Sequence, residues 1–518
     1  MEIQKQKWVK IIFIALLLIS ILFRTKSLAI PLVSDHHNWR QTQTAITIQD
    51  FFNHGLSVLN YKTPVYGPPW QMPLEFPVYQ ITVFIFMKIF GMTNIDLGCR
   101  LVSLIYFYLS AFALLSLCKI FFQNSKIYFS IFFYYIFTPF SLMWSRAALP
   151  DLASVFFGLI YILFFIKWMT LKKIININFL LTMISGILGY LSKSTSMFPV
   201  VAILAILIIK FLYDDLHMDY SINLINILNY IKKNILFLLV TLCLCIIPFV
   251  VGLLWVKYSD FIKSQLIYTQ GLTSKSLKEW NFGTISERFN FDFWGLLFAR
   301  IHRYFAPYLM IGLFPISIYG LYHSKYNKSA VLFYMSMPIA ILFSLSSIYM
   351  YYRHEYYFIA VSPYICIIFG FGFYYTCFEI INNKILLKFI LFCLFCISLL
   401  QPTEYIQTLF YNNEHNGYTS IGEIIGDYIK RTTNKDELIF IQDDSYSPVI
   451  LYASNRRGFM LSEPSYENKD TIFSMDINFT TLIKKEGTEI TKNILDHFNI
   501  VPEVFIYDWE IYKLSRLK

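Results

Sequence analysis

Charged side chains are scarce in this chain: Asp, Glu, Lys and Arg make up 15% of its 518 residues, against roughly 25% in soluble domains. With 56% hydrophobic residues and a mean hydropathy of +0.52, that shortage excludes an ordinary water-soluble globule and leaves a polytopic membrane protein. Cysteine offers no framework either. Cys99, Cys118, Cys243, Cys245, Cys366, Cys377, Cys393 and Cys396 all lie in or beside apolar runs, and none has metal-site spacing in a polar loop. They read as small core residues, and Cys393-x-x-Cys396 sits in an apolar helix without redox context. The net charge of +10 does not signal nucleic acid, and no such partner is expected. The lysines cluster at the ends of apolar runs rather than on one face, as loop charges that orient membrane helices do.

What is abundant is long apolar sequence. Runs of spanning length cover 8–30, 99–121, 127–144, 149–169, 177–195, 196–213, 234–257, 304–322, 328–348, 356–379 and 385–401. This gives about eleven transmembrane helices. The first has no small-residue cleavage site after it and reads as a retained anchor. One further run, 76–90, decides the topology. It is short, opens at Pro73-Leu74-Glu75-Phe76-Pro77 and ends at Lys88 before Gly91, so it reads as an interfacial helix. The inner loops then collect Lys119, Lys126, Lys167, Lys172, Lys173, Lys210, Lys232, Lys233, Lys325, Lys328 and Lys384, with Lys5, Lys7 and Lys10 at a cytoplasmic N-terminus. Residues 1–401 form the membrane domain, with outer loops at 31–98 and 258–303.

Beyond it, 402–518 reads as a small extracytoplasmic α/β domain. Helices are expected at Ile421–Arg431, Pro448–Ser454 and Glu489–Phe498, strands at Glu437–Gln442, Val504–Tyr507 and Ile511–Leu514, and a turn at Asp443-Asp444-Ser445. This tail has no Gly-rich phosphate loop and no clustered His or Cys, so it is read as packing on the outer loops or binding an acceptor.

Directly after the first apolar run comes Ser34-Asp35-His36-His37-Asn38-Trp39-Arg40-Gln41-Thr42-Gln43. Ionisable groups at the membrane edge are costly to hold and point to function. Under this threading, Asp35–Arg40, Glu75, Arg146–Asp151 and Arg353–Glu355 converge on the outer face, with Lys193 in the hairpin Leu191–Ser196. Carboxylates suit a general base or a divalent-cation ligand. Arg and Lys suit a phosphate, the first by forked hydrogen bonds and the second as a point charge. Such a rim fits a lipid whose head is a phosphate-linked polar group. The plainer readings are that Asp35 caps the helix near Asn38, Asp151 caps the helix after Pro150, and the arginines snorkel.

The chain resembles the C-type glycosyltransferases, in the branch of the protein O-mannosyltransferases and lipid A aminoarabinose transferases. The resemblance rests on Asp35 after the first helix, the polar helix through Trp39, Arg40 and Gln41, and Pro73-Leu74-Glu75-Phe76-Pro77-Val78-Tyr79 opening a surface helix. It continues through Phe90-Gly91, Arg100-Leu101, Ser145-Arg146-x-x-Leu149-Pro150-Asp151, Phe156-Phe157 and Arg353-x-x-Tyr356-Tyr357 before Pro363. It implies transfer of a sugar from a polyprenyl-phosphate donor to an envelope lipid, glycan or protein acceptor, on the outer face, with inversion at the anomeric carbon. Carried over, Asp35 is the general base and Asp151 the second acidic site. Lys193 and Arg353 lie near the donor phosphate, with Arg146 and Arg40 as further phosphate ligands. Glu75 is an acid that binds metal or positions the donor, and a divalent cation at Glu75 and His36 is the one cofactor expected. Asp35-His36 stands where the mannosyltransferases carry Asp-Glu, which counts against a protein acceptor. The short outer loops suggest a bacterial inner or plasma membrane. The rival class, a transporter or flippase of a lipid-linked polar substrate, would place ionisable groups near the bilayer midplane, often in two related repeats.

Overall fold

The computed structural model describes residues 2–219, 224–266, 268–323, 326–381, 420–443, 446–461, 477–490 and 492–517, with single positions between 385 and 397. The first apolar run is α1 (Glu2–Thr25), which passes through two 3-10 turns around Pro31 into α2 (Asn38–His54). α2 is polar in sequence and buried in the fold, from Arg40 to Ile48 and again at Asp50 and Phe51. α3 (Val78–Ile89) and α4 (Ile95–Phe121) pack on it from the membrane domain. The twelve residues of α3, at about 1.5 Å rise each, are too short for a hydrocarbon core of about 30 Å.

Asn and Thr side chains start the next helices by accepting backbone N–H groups, Asn94 for α4, Asn124 for α5 (Ser125–Phe137) and Thr138 for α6 (Pro139–Trp144). The expected 127–144 run is therefore divided. Pro139 has no N–H to continue α5 and takes the first position of α6 instead.

α7 (Asp151–Leu171), α8 (Ile177–Lys193) and α9 (Phe198–Asp219) run up and down. Two ion pairs fix this: Lys193–Asp151 at 2.9 Å at one end of α7 and Lys172–Asp215 at 2.8 Å at the other. The 40-residue apolar stretch Ile177–Leu216 thus folds back on itself at the 3-10 turn Ser194–Met197. Gly189 permits the fold-back, since a Cβ there would lie 2.8 Å from Met197 Sδ. α10 (Leu224–Ser264) has a non-helical residue at Asn234 and carries Pro248 against Gly186 of α8.

The segment after it holds the short helices α11 (Lys278–Phe282) and α12 (Ile285–Arg288). α13 (Phe291–Phe305) then meets the stretch holding α14 (Leu313–His323) at 112°, so the expected 304–322 run begins at a corner beside Pro307. α15 (Lys328–Ser347), α16 (Met350–Arg353) and α17 (Ser362–Tyr375) complete the bundle. Among the described residues six helical runs are long and apolar enough to cross a membrane, or seven with the bent pair counted as one. The expected run 385–401 lies mostly outside the described residues.

The C-terminal part holds α18 (Ile421–Thr432), α19 (Val449–Ser454) and α20 (Lys492–His497) beside five strands: β1 (Leu438–Gln442), β2 (Gly458–Leu461), β3 (Phe479–Lys485), β4 (Phe498–Ile506) and β5 (Trp509–Arg516). The sheet order is β2-β1-β3-β5-β4, with β1 parallel to both neighbours and β5 antiparallel to β3 and β4. β2 and β3 were not expected from the sequence, and β4 begins at Phe498 rather than Val504. Asp444 and Ser445 of the expected turn lie outside the described residues. The free edge of β2 is covered by the loop between α2 and α3: Met460 N donates to Val65 O at 2.9 Å and Gly67 N to Gly458 O at 3.2 Å. A covered edge offers no template for a foreign strand. It also joins the two halves of the molecule beside α2.

Candidate active site

Asp35 lies in the extended link between Pro31 and α2. The N-cap of α2 is His37, in the left-handed region at φ 50, and its side chain makes no cap bond. Asp35 is therefore not a helix cap. Its buried carboxylate takes Arg146 by both terminal nitrogens, at 2.6 and 3.0 Å, Arg100 Nη1 at 3.0 Å, Gln41 Nε2 at 3.1 Å and the His36 amide at 2.9 Å. Burial pushes the carboxyl up, but Arg146 and Arg100 outweigh it and hold Asp35 far below the usual carboxylate range. Arg146 is itself braced from beneath. Arg24, fully buried near the end of α1, donates to Ser145 Oγ at 2.8 Å and to the Ile136 carbonyl at 2.7 Å.

A second assembly couples Arg40 to Glu75 at 2.5 Å, with Arg40 Nη1 on Gln43 Oε1 at 2.5 Å. Burial raises the Glu75 carboxyl, yet the charges of Arg40 and Lys193 bring it below its usual value. Burial lowers Arg40, and Glu75 more than reverses that. A third is the Lys193–Asp151 pair, with Lys193 Nζ 4.2 Å above the Tyr357 ring and 5.0 Å above Tyr356. Asp151 opens α7, where the N-cap is Pro150, and its carboxylate faces Lys193.

His36 pairs with Glu355, which also lies 3.6 Å from His37 Nε2 and 3.8 Å from Arg300. Burial raises the Glu355 carboxyl, but its bonds to His36 and His37 carry it well below the normal range. Burial first, then His37 and Lys193, push the His354 imidazole down to about 4.

Tyr356 stands between the Lys193 and Arg40 assemblies and the histidines. Its buried ring stands 5.2 Å from His37, 5.9 Å from Trp144 and 5.0 Å from the Lys193 ammonium. Of the expected site residues, Asp35 and Arg146 are joined directly, as are Arg40 with Glu75 and Asp151 with Lys193. Arg353 stands apart at the exposed rim, its guanidinium 3.9 Å above Trp280. The expected cation ligands Glu75 and His36 belong to different assemblies. Among the described residues, the set whose ligand atoms lie within 4.8 Å of one another is His36, His37 and Glu355. Sequence reading named Glu355 within the Arg353–Glu355 group, Arg100 and Gln41 within the resemblance and Gln43 within the polar string, but assigned none of the four a role of its own. Arg100 carried a signal, a charge at the start of a spanning helix; the glutamines carried none, because their work depends on partners far along the chain.

No family model matches this sequence, and no curated protein matches it. The backbone does match solved structures. The chain is similar to ArnT from Cupriavidus metallidurans bound to undecaprenyl phosphate, with a TM-score of 0.60 at 10% identity over 98% of each chain. This is the fold of the C-type glycosyltransferases. The same fold relates the chain to the archaeal oligosaccharyltransferase AglB from Archaeoglobus fulgidus in complex with an inhibitory peptide and a dolichol-phosphate. There the TM-score is 0.55 at 12% identity, over 93% of this chain and 70% of that one. Another structure of the Archaeoglobus fulgidus oligosaccharyltransferase, with Zn and sulfate, matches at a TM-score of 0.50 and 12% identity over 91% of this chain and 67% of that one.

Proposed function

We propose that the chain is a membrane glycosyltransferase. It moves a hexosyl or pentosyl unit from a polyprenyl-phosphate donor to an envelope lipid, glycan or protein acceptor on the extracytoplasmic face. The observation that carries this reading is the gathering of three carboxylate–cation assemblies at one end of an apolar helical bundle with this fold, Arg40–Glu75 and Lys193–Asp151 about Tyr356 and Asp35–Arg146 beside Trp144. Ionisable groups collected at an end, rather than at mid-depth, favour surface chemistry on a lipid head over transport.

Phosphate needs cations, because a charge left unpaired in a low-dielectric site is costly. Arg40 and Lys193 are the proposed donor ligands, each matched by a carboxylate in the resting chain, with Arg353 engaging the donor from the rim. Asp35 is the proposed general base. Its carboxylate is saturated by two guanidiniums, so it takes a proton only after one lets go, and the donor phosphate is the competing anion that draws Arg146 away. The acceptor hydroxyl then gives its proton to Asp35 while its oxygen bonds to the anomeric carbon. The bond from that carbon to the phosphate oxygen breaks, and polyprenyl phosphate leaves with the electron pair. Asp151 keeps Lys193 aimed and charged.

A divalent cation fits His36, His37 and Glu355, two imidazoles and one carboxylate in a set that suits zinc, iron or manganese. It does not fit Glu75, which Arg40 occupies. Bound there, it would supply positive charge beside the departing phosphate.

The test is release of polyprenyl phosphate from a purified polyprenyl-phosphate sugar mixed with an extract of envelope lipids and glycans as acceptor, in detergent, where no two sides exist, together with mass spectrometry of envelope glycans and lipids with and without the gene. The expected result is turnover and an envelope species one sugar lighter in the deletion. A chain that binds donor but never breaks the sugar–phosphate bond would be a transporter.

A further inference from the structure

Arg40 serves as a donor-phosphate ligand only if its guanidinium fork is aimed. Nη2 is held by Glu75 and Nη1 by Gln43 Oε1. An arginine only donates, so the oxygen end of the Gln43 amide must face it, and the NH₂ end must point the other way. That end donates to the Tyr446 hydroxyl at 2.6 Å. Tyr446 belongs to the C-terminal domain, 403 residues further along the chain, where its ring is set edge-on to Trp39 at 6.4 Å and lies 6.0 Å from Tyr66.

Further contacts of that domain hold it to the same helix. Gln49 donates to the Tyr452 carbonyl at 3.3 Å, Arg457 meets Asp50 at 2.6 Å and Asn53 meets Asn455 at 2.9 Å. Gln43, Asp50 and Asn53 are spaced so that they share one face of α2. These contacts and the covered edge of β2 dock the domain. The Tyr446 hydroxyl is not needed for that, yet among the described residues of the domain it is the group that reaches the amide that steers Arg40.

We propose that Tyr446 is a positioning residue of the donor site: the C-terminal domain fixes the direction of Arg40 through Gln43. The inference rests on the reading of Arg40 as a phosphate ligand. It makes the domain part of the active site rather than an appendage that only packs or receives acceptor.

The experiment uses the full chain and a polyprenyl-phosphate sugar. Tyr446→Phe keeps the ring against Trp39 and removes only the oxygen. It is expected to raise KM for the donor about three- to tenfold, the range of one net hydrogen bond in a charged network, with kcat and melting temperature little changed. Gln43→Ala is expected to do the same, and the double variant to be no worse than Gln43→Ala alone, because residues acting in series are not additive. Arg40→Ala is run alongside and should weaken donor binding at least as much. A normal donor KM in Tyr446→Phe, or additive effects in the double variant, overturns the inference while an impaired Arg40→Ala leaves the reading of Arg40 standing. An Arg40→Ala enzyme with normal donor affinity overturns that reading, and this inference with it.

Discussion

Arg146 grips Asp35 with both terminal nitrogens, Nη1 2.6 Å from Oδ2 and Nη2 3.0 Å from Oδ1, while Arg100 shares Oδ2 from the other side. Two buried guanidiniums thus share one carboxylate as their common counter-charge. Asp35→Asn is nearly isosteric but removes both the proton acceptor and that shared counter-charge. Transfer should fall by about 10²- to 10⁴-fold for loss of a general base. Thermal unfolding in detergent should show a loss of about 3–5 kcal/mol, the usual effect of breaking a buried pair. Near-normal turnover would remove Asp35 from the chemistry, and an unaltered melting temperature would mean that the guanidiniums find other anions.

The cations differ in what surrounds them, and their variants should differ accordingly. Lys193 and Arg40 are buried in charged assemblies around Tyr356, whereas Arg353 lies exposed on Trp280. Lys193→Ala and Arg40→Ala should each weaken polyprenyl-phosphate binding by tenfold or more, since a buried charged hydrogen bond is worth about 1.5–3 kcal/mol. Arg353→Ala should cost only a few-fold, because an exposed cation is screened by water and its ion pair contributes about 0.2–1 kcal/mol. Titration of the donor lipid against the three variants checks the order; an Arg353→Ala defect as large as the others would move the phosphate to the rim.

Much of this architecture is legible in the chain because bilayer burial leaves coarse marks. The polar string at Asp35–Gln43 between apolar runs marks the residues that gather into buried ion pairs, and the brevity of 76–90 matches the twelve residues of α3. The same marks fail where backbone chemistry intervenes, as at Pro139, which breaks one apolar run, and at Pro307, beside the corner where another begins. β2 and β3 are short buried runs with little period of their own, and both depend on neighbours far away in sequence. Glu355 illustrates the limit at the site. Its sequence neighbours Arg353 and His354 look equally functional, and only the fold decides that Glu355 meets His36 while Arg353 turns to Trp280.

His354 gives a pH signature. Burial and the nearby charges of His37 and Lys193 lower it from 6.5 to about 4. Between these values the unfolded chain holds a proton that the folded chain does not. Stability should therefore fall as pH drops from about 6.5 towards 4. Asp35 and Glu355, whose folded values are depressed, keep their contribution until pH falls below the ordinary carboxylate range. His354→Phe removes the first loss and leaves the second. Melting temperature measured from pH 7 to pH 4 should be flatter in His354→Phe than in the parent; an unchanged slope would show that His354 is protonated in the folded protein.

The last expectation concerns which side the site faces. α7 begins at Asp151, inside the site, and ends at Leu171 after 21 residues. At about 1.5 Å per residue that length matches one hydrocarbon core of about 30 Å. Lys172, paired with Asp215 yet with 60% of its side chain exposed, therefore lies on the opposite surface from Asp35. Lys88, at the end of α3, is exposed on the side of the Asp35 loop, where Met87 packs under Gly98. By the surplus of lysines at the Lys172 end, that end is expected to be cytoplasmic. In a background with the native cysteines replaced, Lys88→Cys should react with an impermeant maleimide in intact cells. Lys172→Cys should react only after permeabilisation. Labelling of Lys172→Cys in intact cells would turn the bundle over and put the site in the cytoplasm, where an extracytoplasmic acceptor could not reach it.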